Sequence, residues 1–87
     1  MKAGIISAEK LSYKVVMDSE GRDLGVLHNI IVDGTTGMLT ELVIKPASEL
    51  DTSRFKREDE YIYIAVDALR SIKDVIIVDK EKIQERA

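Results

Sequence analysis

The feature that most constrains this chain is its punctuation. Aromatic and β-branched residues come in short runs, and each run stops at a turn signal before a helix could complete several turns. Tyr13-Lys14-Val15-Val16-Met17-Asp18 ends at Ser19-Glu20-Gly21-Arg22-Asp23, where Gly21 supplies the positive φ that such a hairpin loop wants. Leu24 to Asp33 reads as a longer second strand, Gly34-Thr35-Thr36-Gly37 as a tight turn, and Met38 to Lys45 as a third strand. Together these segments form a β-meander. Pro46 ends it, because proline has no N–H to give a ladder. Ala47 to Glu60 is polar and charged; Ser48 could cap a short helical turn through Glu49, Leu50 and Asp51, or the stretch is a loop. Tyr61 to Val66 is a fourth strand. Asp67 to Ile72 reads as a single helical turn, with Asp67 as its cap and Leu69 and Ile72 pointing inward. Lys73 to Val78 is the fifth strand. Asp79 to Ala87 alternates in charge sign around one apolar residue, Ile83. The expectation is one all-β domain over residues 1–87, with a core at about 11–79 and a polar tail at 80–87.

Size and charge narrow the functions. Eighty-seven residues fit one domain. A chain this short hides only somewhat over ~60% of its unfolded surface, so a partner chain could add useful stability. The net charge of −3 argues against a nucleic-acid binder, whose affinity comes from Lys and Arg. The absence of cysteine excludes disulfides, thiolate metal sites and a cysteine nucleophile. Near the start, charge arrives at Glu9, too early for the apolar run of a signal peptide, and no stretch approaches the ~20 apolar residues of a membrane helix. The reading is a cytoplasmic protein without membrane insertion.

The strand faces suggest how such a molecule works. A sheet with one wet face alternates apolar and polar residues. In the second segment, strict alternation puts Leu24, Val26, Ile30 and Val32 on one face and Leu27 and Ile31 on the other. In the third it sets Met38, Leu42 and Ile44 against Leu39 and Val43. In the fourth, Tyr61 and Tyr63 oppose Ile62, Ile64 and Val66. A small barrel needs only its inner face apolar. The surplus wants a cover, either a second copy of the chain or the segments 1–12 and 67–72. Hiding ~400 Å² of it would contribute about 10 kcal/mol before the cost of association. A homodimer is the inference.

Little here is equipped for chemistry. His28, the single histidine, shares the expected face of Val26 and Ile30, and with no second His or Cys it reads as a strand histidine at a barrel edge or interface. Asp18, Glu20 and Asp23 fail as a calcium loop, because Arg22, Asp23 and Asn29 stand where a ligand, a glycine and a bidentate Glu should be; solvated turn carboxylates are the better reading. Gly34-Thr35-Thr36-Gly37 lacks the Lys-Ser/Thr and the following helix of a phosphate loop. Arg54-Phe55-Lys56-Arg57 could stack a base, yet Asp51 precedes it and Glu58-Asp59-Glu60 follows within a screening length of ~10 Å. It reads as a charged loop with Phe55 tucked against the barrel, or as a protein-docking loop. Tyr61 and Tyr63, two apart, share a face that is core or dimer seam. No cofactor is implied.

The order of residues also carries a resemblance. Val15-Val16-x-Asp18-x-x-Gly21-x-x-Leu24-Gly25-Val26-x-x-x-Ile30-x-x-Asp33-x-x-x-Gly37-x-x-x-x-Leu42 resembles the opening of a PRC-barrel domain, a family named for the cytoplasmic domain of the photosynthetic reaction centre H subunit. Ala65-Val66-Asp67-Ala68-Leu69-x-Ser71-Ile72-x-Asp74-Val75-Ile76-Ile77-Val78 is similar to its closing turn and last strand. Lys73 departs from a frequent glycine, and the 47–60 loop has no consensus. The resemblance implies a small, partly open β-barrel of about five or six strands, with a single helical turn before the last strand and no catalytic residues. It implies an interaction module, because family members attach to the reaction centre, to ribosome-maturation factors of the RimM type, or stand alone in archaea. Some of the latter resemble adaptors that link the tubulin-like division ring to its membrane anchor, and they tend to dimerise.

The function expected is therefore a non-catalytic adaptor. It would act as a homodimer with a further protein partner, possessing the archaeal cell-division type of role, with a ribosome- or RNA-processing-associated factor of the RimM type as the alternative. Ile31, Phe55, Tyr61 and Tyr63 are the expected interface residues.

Overall fold

The structure, a computed structural model, describes residues 13–83. Seven strands form one sheet: β1 (Val15–Asp18), β2 (Asp23–Val32), β3 (Leu39–Pro46), β4 (Lys56–Glu58), β5 (Tyr61–Ala65), β6 (Leu69–Ile72) and β7 (Ile76–Val78). Their order across the sheet is β4-β5-β3-β2-β1-β7-β6. Every pairing is antiparallel except β1 with β7. The sheet curls around one core without closing, which leaves β4 and β6 as its edges.

The all-β reading is correct and the count of five or six strands is corrected to seven. One additional strand lies in the stretch read as polar loop: Lys56, Arg57 and Glu58 pair with Tyr63, Ile62 and Tyr61. All three are exposed, so no apolar alternation marks them. The other replaces most of the expected helical turn. Only Val66–Ala68 forms a 3-10 turn, and Asp67 does not cap it. Leu69–Ile72 instead pairs with β7. A lone helical turn fixes several dihedrals for one hydrogen bond, whereas this hairpin adds ladder bonds and packs Leu69 and Ile72 against the core.

The core is Val16, Leu24, Leu27, Leu42, Ile44, Ile62, Ile64, Ala68, Ile76 and Val78. Leu24 and Leu27 are both fully buried although three positions apart, which strict alternation forbids. Bulges resolve this. The β1–β2 register slips between Val16 and Met17, and the β2–β3 register slips at His28 and again at Thr40. Each slip admits one extra residue and swaps the faces beyond it. Leu24, Leu27 and Ile30 thereby all serve the core, as do Leu39 and Leu42 on β3. The expected assignment of Leu27 and Leu39 to the second face is corrected for this reason, and so is the shared face of His28 and Ile30.

Gly25 makes the first kink possible. Its φ is +138°, and a Cβ there would overlap the Lys45 carbonyl oxygen and sit 2.9 Å from Ala47 N. Two backbones meet where no side chain fits. Gly21, at φ +87°, occupies the first turn with open space around it. Asp18, expected as a solvated turn carboxylate, is in fact 4% exposed, and its Oδ1 accepts from the N–H groups of Glu20 and Arg22 at 2.9 Å each. Past β7, Asp79 accepts from Glu81 N–H to start a 3-10 turn at Lys80–Lys82, and Ile83 packs against the core. The remaining tail, 84–87, and the proposed cover 1–12 lie outside the described residues.

The two glycines separate strain from overlap. Gly25→Ala should lose about 3 kcal/mol, lowering the melting temperature by about 12–24 °C for a domain of this size. Gly21→Ala, with backbone strain alone, should lose about 1–2 kcal/mol. Thermal melts by circular dichroism decide it; equal losses would refute the close-approach account.

Candidate interaction surface

The outer face of β5 and β3 gathers three of the four expected residues. Asn29, Val43, Tyr63 and Lys56 form one cross-strand row, and Ile31, Glu41 and Ala65 form the next. Tyr61 lies two residues from Tyr63 on the same face. Their neighbours Ile62 and Ile64 are in the core, so the expected opposition in this strand is correct. Val43 is 6% exposed yet lies outside the core cluster, hidden between its row neighbours. Phe55 is elsewhere: it packs against the core.

Polar groups frame this face. The His28 ring stacks on Tyr61 with centroids 4.3 Å apart and planes 18° from parallel. The bulge that breaks the β2 register also presents this histidine outward. Lys56 Nζ lies 5.6 Å from the Tyr63 ring centroid and 2.9 Å from Glu41 Oε2. The hydrogen bond to Glu41, with its charge, holds the Lys56 ammonium above its ordinary 10.5. Desolvation, then the Glu58 carboxylate, pushes the Tyr63 phenol above 10.0. Both groups therefore keep their protons at neutral pH, leaving Tyr63 uncharged and Lys56 as a cation over its ring. Sequence spacing could not pair His28 with Tyr61 or Lys56 with Glu41, because only the register brings them together.

A second apolar region lies at the β2–β3 tip. The β5 ladder ends at Glu41 and the β1 ladder at Val26, so among the described strands none flanks the tip. Ile31, Val32 and Met38 are 36%, 50% and 67% exposed there. Val15 and Tyr13 are also exposed. The bulges have drawn part of the expected surplus inward, and this remainder stays at the surface. The 66–72 segment covers the core end, with Ala68 buried and Leu69 and Ile72 packed against the core cluster. The β4 edge is an unpromising template for a partner strand, since Lys56, Arg57 and Glu58 are charged and exposed.

Among the described residues there is no group of three His, Cys, Asp or Glu side chains that could hold a metal ion. The acidic turn residues serve the backbone: Asp18 as above, and Asp23 Oδ1 accepting from Gly25 N–H at 3.0 Å. No helix among the described residues is long and apolar enough to cross a membrane. The PRC-barrel domain family model matches residues 3–84, nearly the whole chain. No curated protein matches it.

Three aspartates make the surface turns acid-sensitive. Backbone N–H groups of Thr36 and Thr35 hold Asp33 below its ordinary 3.8. Ser53 N–H does so for Asp51. Glu81 N–H, followed by the charge of Arg70, does so for Asp79. A depressed folded value stabilises the fold above the unfolded value, and that stability is lost as pH falls through the folded one. The melting temperature should hold down to about pH 4 and fall below it. Asp33→Asn should melt lower than the parent at neutral pH and lose less on acidification. Parallel melting curves for parent and variant across this range would refute the assignment.

Proposed function

This chain belongs to the PRC-barrel family, and from that premise we propose that it is a non-catalytic cytoplasmic adaptor, homodimeric through the outer face of β5 and β3, that joins components of a larger assembly of the archaeal cell-division kind. PRC-barrel domains are small β-barrel modules often found in protein-interaction contexts. The observation that carries the reading is the face of Tyr61, Tyr63 and Ile31, where aromatic and aliphatic area lies beside the His28–Tyr61 stack and the Lys56–Glu41 pair that crosses the face. Aromatic contact area beside paired polar groups is common at protein interfaces. The two tyrosines supply large, rigid contact area, and their hydroxyls can remain hydrogen-bonded at the seam.

The same face supports a two-fold arrangement. An isologous dimer uses one patch twice, so a face that carries both charge signs suits it. Lys56 of one copy can approach Glu41 of the other without leaving an unpaired charge. The RNA-associated alternative gains nothing from this surface, where the cation Lys56 is already paired with Glu41.

Solution mass tests the reading. At about 50 µM, where an interface of micromolar Kd would be largely formed, light scattering should give twice 9.8 kDa. Tyr63→Asp and Ile31→Asp should each weaken self-association at least about tenfold, the equivalent of ~1.4 kcal/mol or more, while keeping the melting temperature near the parent's. A monomeric parent at that concentration would refute the dimer.

A further inference from the structure

The single histidine of the chain stands on the face that carries the tyrosines. The β2–β3 register slips at His28, and the residue is exposed there. Its ring lies nearly flat on the half-buried Tyr61 ring, with centroids 4.3 Å apart and planes 18° from parallel. Among the described residues this stack is its one ring or polar contact.

The charged groups around it come from every neighbouring element. On the β1 side, Tyr13 and Lys14 meet β2 through backbone hydrogen bonds with Leu27 of 2.8 and 2.9 Å. On β3, Lys45 pairs with Val26, and Glu41 pairs with Ile31. On β4, Glu58 pairs with Tyr61, and Lys56 pairs with Tyr63. The two carboxylates of the face are already engaged. Glu41 Oε2 holds Lys56 Nζ at 2.9 Å, and the Tyr63 hydroxyl donates to Glu58. Asp59 and Glu60 stand in the exposed β4–β5 turn.

This setting treats a proton differently in the free chain and in a dimer. In the free chain an imidazolium at His28 is hydrated on one side and lies over the negative face of the Tyr61 ring on the other. A two-fold seam removes that water, and no carboxylate on the face is held in reserve for the charge. Both copies gain the charge together, because an isologous interface repeats every group. A ligand shifts an equilibrium toward the state that binds it better, and here the proton prefers the free chain. Histidine is the side chain type that ordinarily changes charge between pH 8 and pH 5.

We infer that His28 makes self-association through this face pH-dependent, its protonation driving the dimer apart in mildly acidic solution. The inference rests on the reading of the face as a dimer seam and names its regulation. Two protons are taken up per dimer lost. For free imidazoles excluded completely from a seam, the dissociation constant would rise about a hundredfold between pH 7.5 and 5.5.

The test is sedimentation equilibrium of the full chain at about pH 7.5 and about pH 5.5, at one ionic strength. Asp33, Asp51 and Asp79, held below their ordinary value, keep their charge at both. Circular dichroism at both confirms the fold. The parent's dissociation constant should rise at least about tenfold at the lower pH. His28→Phe keeps an aromatic ring without a titrating group, and His28→Gln keeps polarity without one; each should dimerise equally at both. His28→Arg, charged throughout, should dimerise more weakly than the parent at pH 7.5. A parent dimer that is as tight or tighter at pH 5.5 overturns the inference and leaves the dimer standing. A loss that persists in His28→Gln and His28→Phe overturns it as well, by assigning the effect to another group. A parent that is monomeric at pH 7.5 overturns the seam itself, and the inference with it.

Discussion

Where β2 crosses the end of β3, the two backbones come so close that even a methyl group on Gly25 would overlap the Lys45 carbonyl oxygen. The contact does more than permit tight packing. It lets β2 kink, the kink lets the register with β1 slip, and the slip brings Leu24 and Leu27 to the same side. A second slip at His28 adds Ile30 to that side. One ten-residue strand thereby feeds three apolar residues into a core that strict alternation would divide between two faces. For a domain with little interior, this concentrates apolar area where it stabilises most.

The same geometry explains which parts of the molecule were legible in its residues. β5 follows plain alternation, and Tyr61, Ile62, Tyr63 and Ile64 lie where period two puts them. β2 and β3 were legible as strands but not as faces. A glycine inside a strand, as Gly25 is, marks a bulge or a close approach, whereas nothing in the residues around His28 or Thr40 marks a bulge. β4 was illegible because an edge strand exposed on every residue carries no apolar pattern. β6 reads as a helical turn in the sequence because Leu69 and Ile72, three apart, fit one as well as they fit a bulged strand whose register slips at Arg70.

The candidate surface divides in the same way. The tyrosine pair could be read directly from its spacing. Its frame could not, because His28 meets Tyr61 and Lys56 meets Glu41 across strands whose register depends on the bulges. Residue type alone groups Phe55 with the tyrosines. Topology separates them: the tyrosines stand on the outer face of β5, whereas Phe55 precedes β4, packs against the core and lines a cleft with Leu24. An aromatic residue in a charged loop signals contact with something, and only the fold tells whether that is the barrel, a partner or both.

Phe55 touches the core and also lines a cleft, so the two surfaces differ in kind. The outer face is broad, and the cationic charge it presents is matched within the chain by Glu41. The cleft is narrow and apolar at its floor, and its rim mixes Arg22, Arg54 and Lys80 with Asp18 and Asp51. A broad, charge-balanced face suits self-association, where both partners carry the same charges and any unmatched sign would repel its own image. The surfaces share no residue, so occupying one leaves the other available. A dimer built on the first would present the second twice, and two weak sites on one rigid body hold a divalent partner far more firmly than either does alone. For a domain this small, that doubling would be a physical means of joining larger components.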